Sequence, residues 1–252
     1  MANDRLRDSL LRNGLTPSAV AEKVGVDPKT VERWITQGRP TYPKFRHAVA
    51  AMVKESESYL WPNAIPPERA ARVAQSELVT LYPCRSVVPE ALWNRLFNEA
   101  TEQISILVYA GLFLPEQRPK LVRELKAKAA AGAKVSVLLG DPDCDEVRRR
   151  GMDEGIGDAV PTKIRNVLTF YRPLQGVRGV DVRFHRTTLY NSIYRFDDEM
   201  LVNTHVFGFP AAHAPVLHLR RLAGGDLFEM YTDSVDRVLA GSVPAWTEAV
   251  AA

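Results

Sequence analysis

Two groups of side chains in this chain have the types and spacing that chemistry uses. The first lies between His185 and His205 and includes Thr187, Tyr190, Asn191, Ser192 and Asn203. An imidazole titrates near neutral pH, so it can take up or release a proton, or bind a metal. With hydroxyls and amides around two of them, the lining would suit a phosphate-bearing or otherwise polar small ligand. Two alternatives stay open: both histidines are satisfied core or surface groups, or they pair on a metal. The second group is Lys29, Thr30 and Arg33, two cations and a hydroxyl within five residues. Such a set suits phosphate oxygens and base edges.

Other arrangements point away from chemistry. Asp141, Asp143 and Asp145 alternate in the manner of a calcium loop, but the glycine and late glutamate of an EF-hand are missing, so a turn opening a helix is expected. Cys84 and Cys144 lie sixty residues apart without metal spacing and read as structural thiols in a reducing compartment. There is no glycine-rich phosphate loop, no serine nucleophile elbow and no Cys/His zinc set. Neither a cofactor nor a metal is expected.

The elements that would position the first group are strands. His185 ends a strand from Val180. Ser192–Phe196 and Met200–Thr204 flank Asp197-Asp198-Glu199 as a hairpin. Upstream, a helical stretch from Ala91 to Gln103 leads into a buried strand, Ile104–Tyr109. A helix over Glu116–Ala131 and a strand over Lys134–Leu139 follow, which makes a parallel βαβ unit. Further helices are expected over Lys163–Phe170 and Asp233–Ala240, and a further strand over Val216–Leu222. Residues 69–252 are therefore expected to form an α/β domain.

The second group sits in an all-α segment, residues 1–54. Leu6, Leu10 and Leu11 mark a first amphipathic helix. Thr16-Pro17 and Asp27-Pro28 are helix starts, each a capping side chain followed by proline at the first helical position. Gly25 and Gly38 end the two helices. Val31, Trp34 and Ile35 make one apolar face at i, i+3, i+4, with Lys29, Thr30 and Arg33 opposite. A fourth helix from Pro43 carries Phe45, Val49 and Met52 or Val53 inward. Residues 55–68, with three prolines and no periodicity, read as a linker.

The charge balance agrees with this division. Residues 1–56 hold ten Lys/Arg and six Asp/Glu, while the rest hold 23 and 24. The positive excess thus lies with the helical segment, where phosphate contact would use it. The N-terminal residues lack the apolar region of a signal peptide, and the longest apolar runs are far short of a membrane span. A soluble cytoplasmic protein without membrane partners is expected.

Two resemblances follow from these motifs. LTPSAVAEKVGVDPKTVERWITQGRP resembles the helix-turn-helix of Xre/lambda-repressor-type regulators over about residues 5–54, except that Pro17 stands where such modules often carry a DNA-contacting glutamine. The resemblance implies base reading by Lys29, Thr30 and Arg33, and backbone contacts by Ser18, Lys44 and Arg46. The stretch VRFHRTTLYNSIYRFDDEMLVNTHVFG resembles one half of a phospholipase D-like domain over roughly residues 78–246. That alignment puts Tyr190 at the family's histidine, Ser192 at its lysine and Asp197 at its aspartate. A tyrosine is a poor replacement for a nucleophilic histidine, and a serine supplies no cation.

The combined expectation is a transcription regulator without enzymatic activity. Two helix-turn-helix modules of a homodimer would read a pseudo-palindromic operator on double-stranded DNA. The degenerate phospholipase D-like domain would serve dimerisation or sensing of a small polar ligand. The alternative is a phosphodiesterase or nuclease delivered to DNA by the N-terminal module, with His185 or His205 as its nucleophile.

Overall fold

The computed structural model describes residues 2–39, 41–62 and 67–246. Pro40, residues 63–66 of the expected linker and the last six residues of the expected second domain lie outside the described residues. The chain divides into two compact units: Met1–Glu77 with Arg221–Met230, and Leu78–Arg220 with Tyr231–Ala252.

The first unit is helical. Its elements are α1 (Asp4–Arg12), α2 (Pro17–Val24), α3 (Pro28–Thr36), α4 (Pro43–Val53), α5 (Glu57–Leu60) and α6 (Pro67–Glu77). Local chemistry starts each of the first three. The Asn3 side chain accepts the Leu6 N–H, Thr16 accepts the Ala19 N–H and Asp27 accepts the Lys29 N–H. These caps satisfy backbone donors that have no partner within the helix. Gly25 ends α2 in the left-handed region at φ +71°, a conformation that costs a residue with a Cβ and leaves glycine unstrained. Leu6, Leu10, Val20, Ala21, Val31, Trp34, Ile35, Val49 and Val53 form one core.

That core corrects the expected linker. Leu60 and Trp61 are buried in it, and the Asn3 amide donates to the Leu60 carbonyl at 2.7 Å. The helical unit therefore runs past residue 54. A single turn capped by Ser56 is too short to show helical periodicity, and the prolines beyond it mask the apolar pair. The second unit likewise does not take every residue from 69 onward. The buried Glu77 carboxylate accepts the backbone N–H groups of Leu227 and Phe228, at 3.1 and 3.0 Å, within the first unit.

The second unit is α/β. Its strands are β1 (Leu78–Tyr82), β2 (Gln103–Val108), β3 (Lys134–Gly140), β4 (Val180–His185), β5 (Asn191–Phe196), β6 (Glu199–Thr204), β7 (Val216–Arg220) and β8 (Val243–Pro244). They form one sheet in the order β1-β7-β6-β5-β2-β3-β4-β8. β2, β3 and β4 are parallel, and every other pairing is antiparallel. The helices are α7 (Glu90–Glu99), α8 (Phe113–Gln117), α9 (Leu121–Ala130), α10 (Asp145–Asp153), α11 (Ala159–Tyr171) and, from Tyr231 on, α12 (Leu227–Ala240). α8 and α9 lie between β2 and β3, α9 packs on β3 and β4, and the central strands β2 and β3 are buried along almost their whole length.

Two turns anchor the frame. Asp197, at φ +50°, turns β5 into β6. Its carboxylate accepts the N–H groups of Thr101, Glu102 and Gln103 at 2.7, 2.9 and 2.6 Å. Burial opposes the charge, but these donors outweigh it and hold the carboxyl below the usual range. After β3, the Asp141 carboxylate accepts the Asp143 N–H at 3.0 Å in the turn that precedes α10. Asp143 in turn pairs with Arg165. Among the described residues, no cluster of three His, Cys, Asp or Glu could hold a metal, and no helix is long and apolar enough to cross a membrane.

Candidate functional site

The helical unit presents a charged surface around α2 and α3. α3 buries Val31, Trp34 and Ile35 and leaves Lys29 and Arg33 exposed, one turn apart on the same helix face. Thr30 is half-buried beside them. Ser18, in the first turn of α2, is exposed. Lys44 is exposed in the first turn of α4, with its ammonium 4.7 Å from the Phe45 ring centroid. Arg39, just beyond α3, is exposed as well and was not among the expected contacts; the Gly-Arg exit of the motif was its signal.

Arg46 corrects an expectation. Its guanidinium is buried, donating through Nε to the Glu57 carboxylate at 3.1 Å and through Nη1 to the Thr41 carbonyl at 2.6 Å. It lies on the inner face of α4 with Val49, Ala50 and Val53, committed to partners within the helical unit. A buried guanidinium needs a carboxylate partner. That partner comes from α5, within the segment expected to be a linker.

In the second unit, a cavity of about 240 Å³ opens where β2 ends and β5 begins, lined by Tyr109, Glu116, Arg150, Lys163, Ser192 and His205 among others. Ser192 and His205 face each other across the β5–β6 hairpin, with Ser192 Oγ 3.0 Å from His205 Nε2. His205 Nδ1 lies 3.1 Å from the Leu189 carbonyl. A carbonyl can only accept, so Nδ1 carries the proton and Nε2 is left to accept from the serine hydroxyl. The imidazole stacks on Tyr109, with centroids 5.7 Å apart at 24°. The Tyr109 hydroxyl accepts the Leu189 N–H at 2.9 Å, which holds the same loop from its other side. Burial, then the nearby Arg150 guanidinium, pushes the His205 pKa down to about 4, so the ring is neutral at physiological pH.

Of the seven residues expected in a ligand site, only Ser192 and His205 line this cavity. His185 is buried with both ring nitrogens in use: Nε2 donates to the Val108 carbonyl at 3.1 Å and Nδ1 accepts from the Thr187 N–H at 3.3 Å. Burial lowers its pKa, and no lone pair remains for a metal or a phosphorus atom. Asn203 is buried, and its amide donates to the Ala214 and Pro215 carbonyls at 3.1 Å. Tyr190 is 81% exposed, Thr187 is exposed, and Asn191 is half-buried opposite Thr204 at the end of the hairpin. The strand alternation that points Ser192 into the cavity turns its neighbours elsewhere. Tyr109, Arg150 and Lys163 were not expected in the site. Tyr109 showed only as the last residue of an apolar strand, and the two cations lie on helices that carry no motif.

No protein-family model matches this chain, and no curated protein matches it. Solved structures do. One is TrmBL2, an archaeal chromatin protein described as showing a novel mode of DNA binding. It is 9% identical over 68% of this chain and 55% of TrmBL2, with a TM-score of 0.42. This chain therefore spans about half of that protein's length. A second is Nuc from Salmonella typhimurium, a phospholipase D family member, 13% identical over 62% of this chain and 90% of Nuc, with a TM-score of 0.35. A third is NucT from Helicobacter pylori, 14% identical over 66% of this chain and 97% of NucT, with a TM-score of 0.39. The expectation of a protein without enzymatic activity is corrected here, because the likeness extends to a phospholipase D family member.

Proposed function

We propose that this chain is a sequence-specific DNA-binding transcription regulator of the Xre type, acting in the cytoplasm as a homodimer on a pseudo-palindromic operator. The observation that carries the reading is the α2–turn–α3 geometry. A left-handed Gly25 and the Asp27 cap set two short helices against each other, Val20, Ala21, Val31, Trp34 and Ile35 lock them, and Lys29 and Arg33 stay exposed on the second. A recognition helix in the major groove meets base edges with its N-terminal residues, and the flanking caps and cations meet phosphates. Lys29, Thr30 and Arg33 take the first role; Ser18 and Lys44 take the second. A single module makes few contacts, so two modules with half-sites about one helical turn (~34 Å) apart supply the affinity. The second unit, with its polar cavity at Ser192 and His205, serves dimerisation or response to a small polar ligand.

The test is recovery of bound fragments from genomic DNA of the source organism by the purified full-length protein at near-physiological salt. A short inverted repeat from a few promoters supports the reading. Weak retention that ignores sequence and fades with salt counts against it. An oligomer mass equal to one chain, 28.1 kDa, removes the homodimer.

A further inference from the structure

The Ser192–His205 pair has a geometry that ligand sensing does not require. A hydroxyl whose proton is held by a bare, oriented imidazole nitrogen is the arrangement of an activated nucleophile. Three observations make it so here. Nδ1 is committed to the Leu189 carbonyl, which leaves Nε2 unprotonated. Tyr109 fixes the ring plane by stacking and fixes the Leu189 loop through its hydroxyl. The pair opens into a cavity that is also lined by Lys163, Glu116 and Arg150, the last ion-paired with Glu154 at 2.5 Å, so charged groups of both signs surround the bond to be broken. Tyr109 and the Leu189 carbonyl are positioning groups. In the His-Asp triad a carboxylate orients the base; here a backbone carbonyl does.

We infer that Ser192 and His205 are the nucleophile and general base of a hydrolase acting on esters of small carboxylic acids. Ser192 Oγ adds to the ester carbonyl carbon while its proton passes to His205 Nε2, giving a tetrahedral oxyanion. The bond from that carbon to the alcohol oxygen breaks. The departing alkoxide takes the proton from Nε2 and leaves as the free alcohol, with Ser192 acylated. Water then gives a proton to Nε2, its hydroxyl adds to the acyl carbon, and Ser192 leaves with that proton as the acid is released. The cavity of about 240 Å³ has room for a short acyl chain beside the pair. This activity does not depend on the DNA-binding reading, because the residues involved all belong to the second unit.

The experiment treats the full-length protein at neutral pH with a fluorescent alkyl fluorophosphonate, in which Ser192 Oγ would displace fluoride from phosphorus. The expected result is one label per chain, mapped by peptide mass spectrometry to Ser192. Ser192→Ala should take no label, and His205→Gln should label about 100-fold more slowly, the loss expected when a general base is removed. Circular dichroism confirms that both variants fold. p-Nitrophenyl acetate should be turned over faster than p-nitrophenyl decanoate, and not by Ser192→Ala. A folded wild type that takes no label, a label that survives Ser192→Ala, or labelling without acetate turnover overturns the inference. Preference for the decanoate overturns its assignment of short acyl chains.

Discussion

The Arg46 guanidinium donates to the Glu57 carboxylate at 3.1 Å, with each side chain less than one-tenth exposed. One partner sits on α4 and the other on α5, so the pair ties the single-turn helix to the helix-turn-helix body. Removing one partner of a buried pair leaves a desolvated charge, at a cost of about 3–5 kcal/mol. Glu57→Ala is expected to lower the stability of the first unit by that order in urea titration. The double variant Arg46→Met/Glu57→Leu should recover most of the loss. It should also bind the operator like the wild type. Lost operator affinity in the stable double variant would return Arg46 to the DNA interface.

The exposed Arg33 should behave in the opposite way. Arg33→Ala is expected to leave the melting temperature unchanged. It should weaken specific binding by about 1–3 kcal/mol and relax the sequence preference at the base pair it meets. Lys44→Ala should weaken all DNA binding evenly and reduce the salt slope by about one ion. Gel shifts over a salt series separate the two; equal effects of both variants on specific and random duplexes would remove Arg33 from the reading face.

Asp197 joins the hairpin to the start of β2 through three backbone N–H groups. Asp197→Ala strands those donors and places an alanine at φ +50°. The expected loss is on the order of 3 kcal/mol in the second unit. Asp197→Asn keeps the turn conformation and one acceptor oxygen, and should lose less. A denaturation curve for Asp197→Ala that overlays the wild type would show that the turn does not anchor β2.

Glu199 sets an acid limit. Both terminal nitrogens of Arg95 donate to its carboxylate, at 3.0 and 2.8 Å, and His218 Nε2 lies 2.7 Å away. Arg95 hydrogen bonds, working against burial, hold its pKa down at about 2 from an ordinary 4.5. A depressed carboxylate stabilises the fold above its unfolded pKa and loses that contribution as pH falls toward the folded one. The contribution is therefore whole above about pH 5 and lost between there and pH 2, on the order of 2 kcal/mol. Glu199→Gln should flatten the decline in melting temperature over that window. A variant as acid-sensitive as the wild type would place the titration elsewhere.

Much of the architecture was legible because its signals are local. Thr16-Pro17, Gly25 and Asp27-Pro28 each act within a few residues of where they stand, and they mark α2 and α3 without help from the rest of the chain. The apolar runs at 104–108 and 134–139 and the acidic turn at 197–199 likewise reveal the βαβ unit and the hairpin through short-range patterning. The charge excess of the N-terminal segment is read directly from its composition, and the face shared by Lys29 and Arg33 follows from the helical period. Tertiary structure alone decided what depends on partners far away in sequence. Trp61 and Leu60 join the first core because Leu6 and Asn3 wait for them, which makes helix out of an expected linker. Arg46 turns inward because Glu57 is there to meet its charge. Seven polar residues near the hairpin were equivalent by type, and two of them face a cavity. Tyr109, eighty residues before Leu189, orients the loop and the imidazole together, and no spacing rule within the chain encodes that contact.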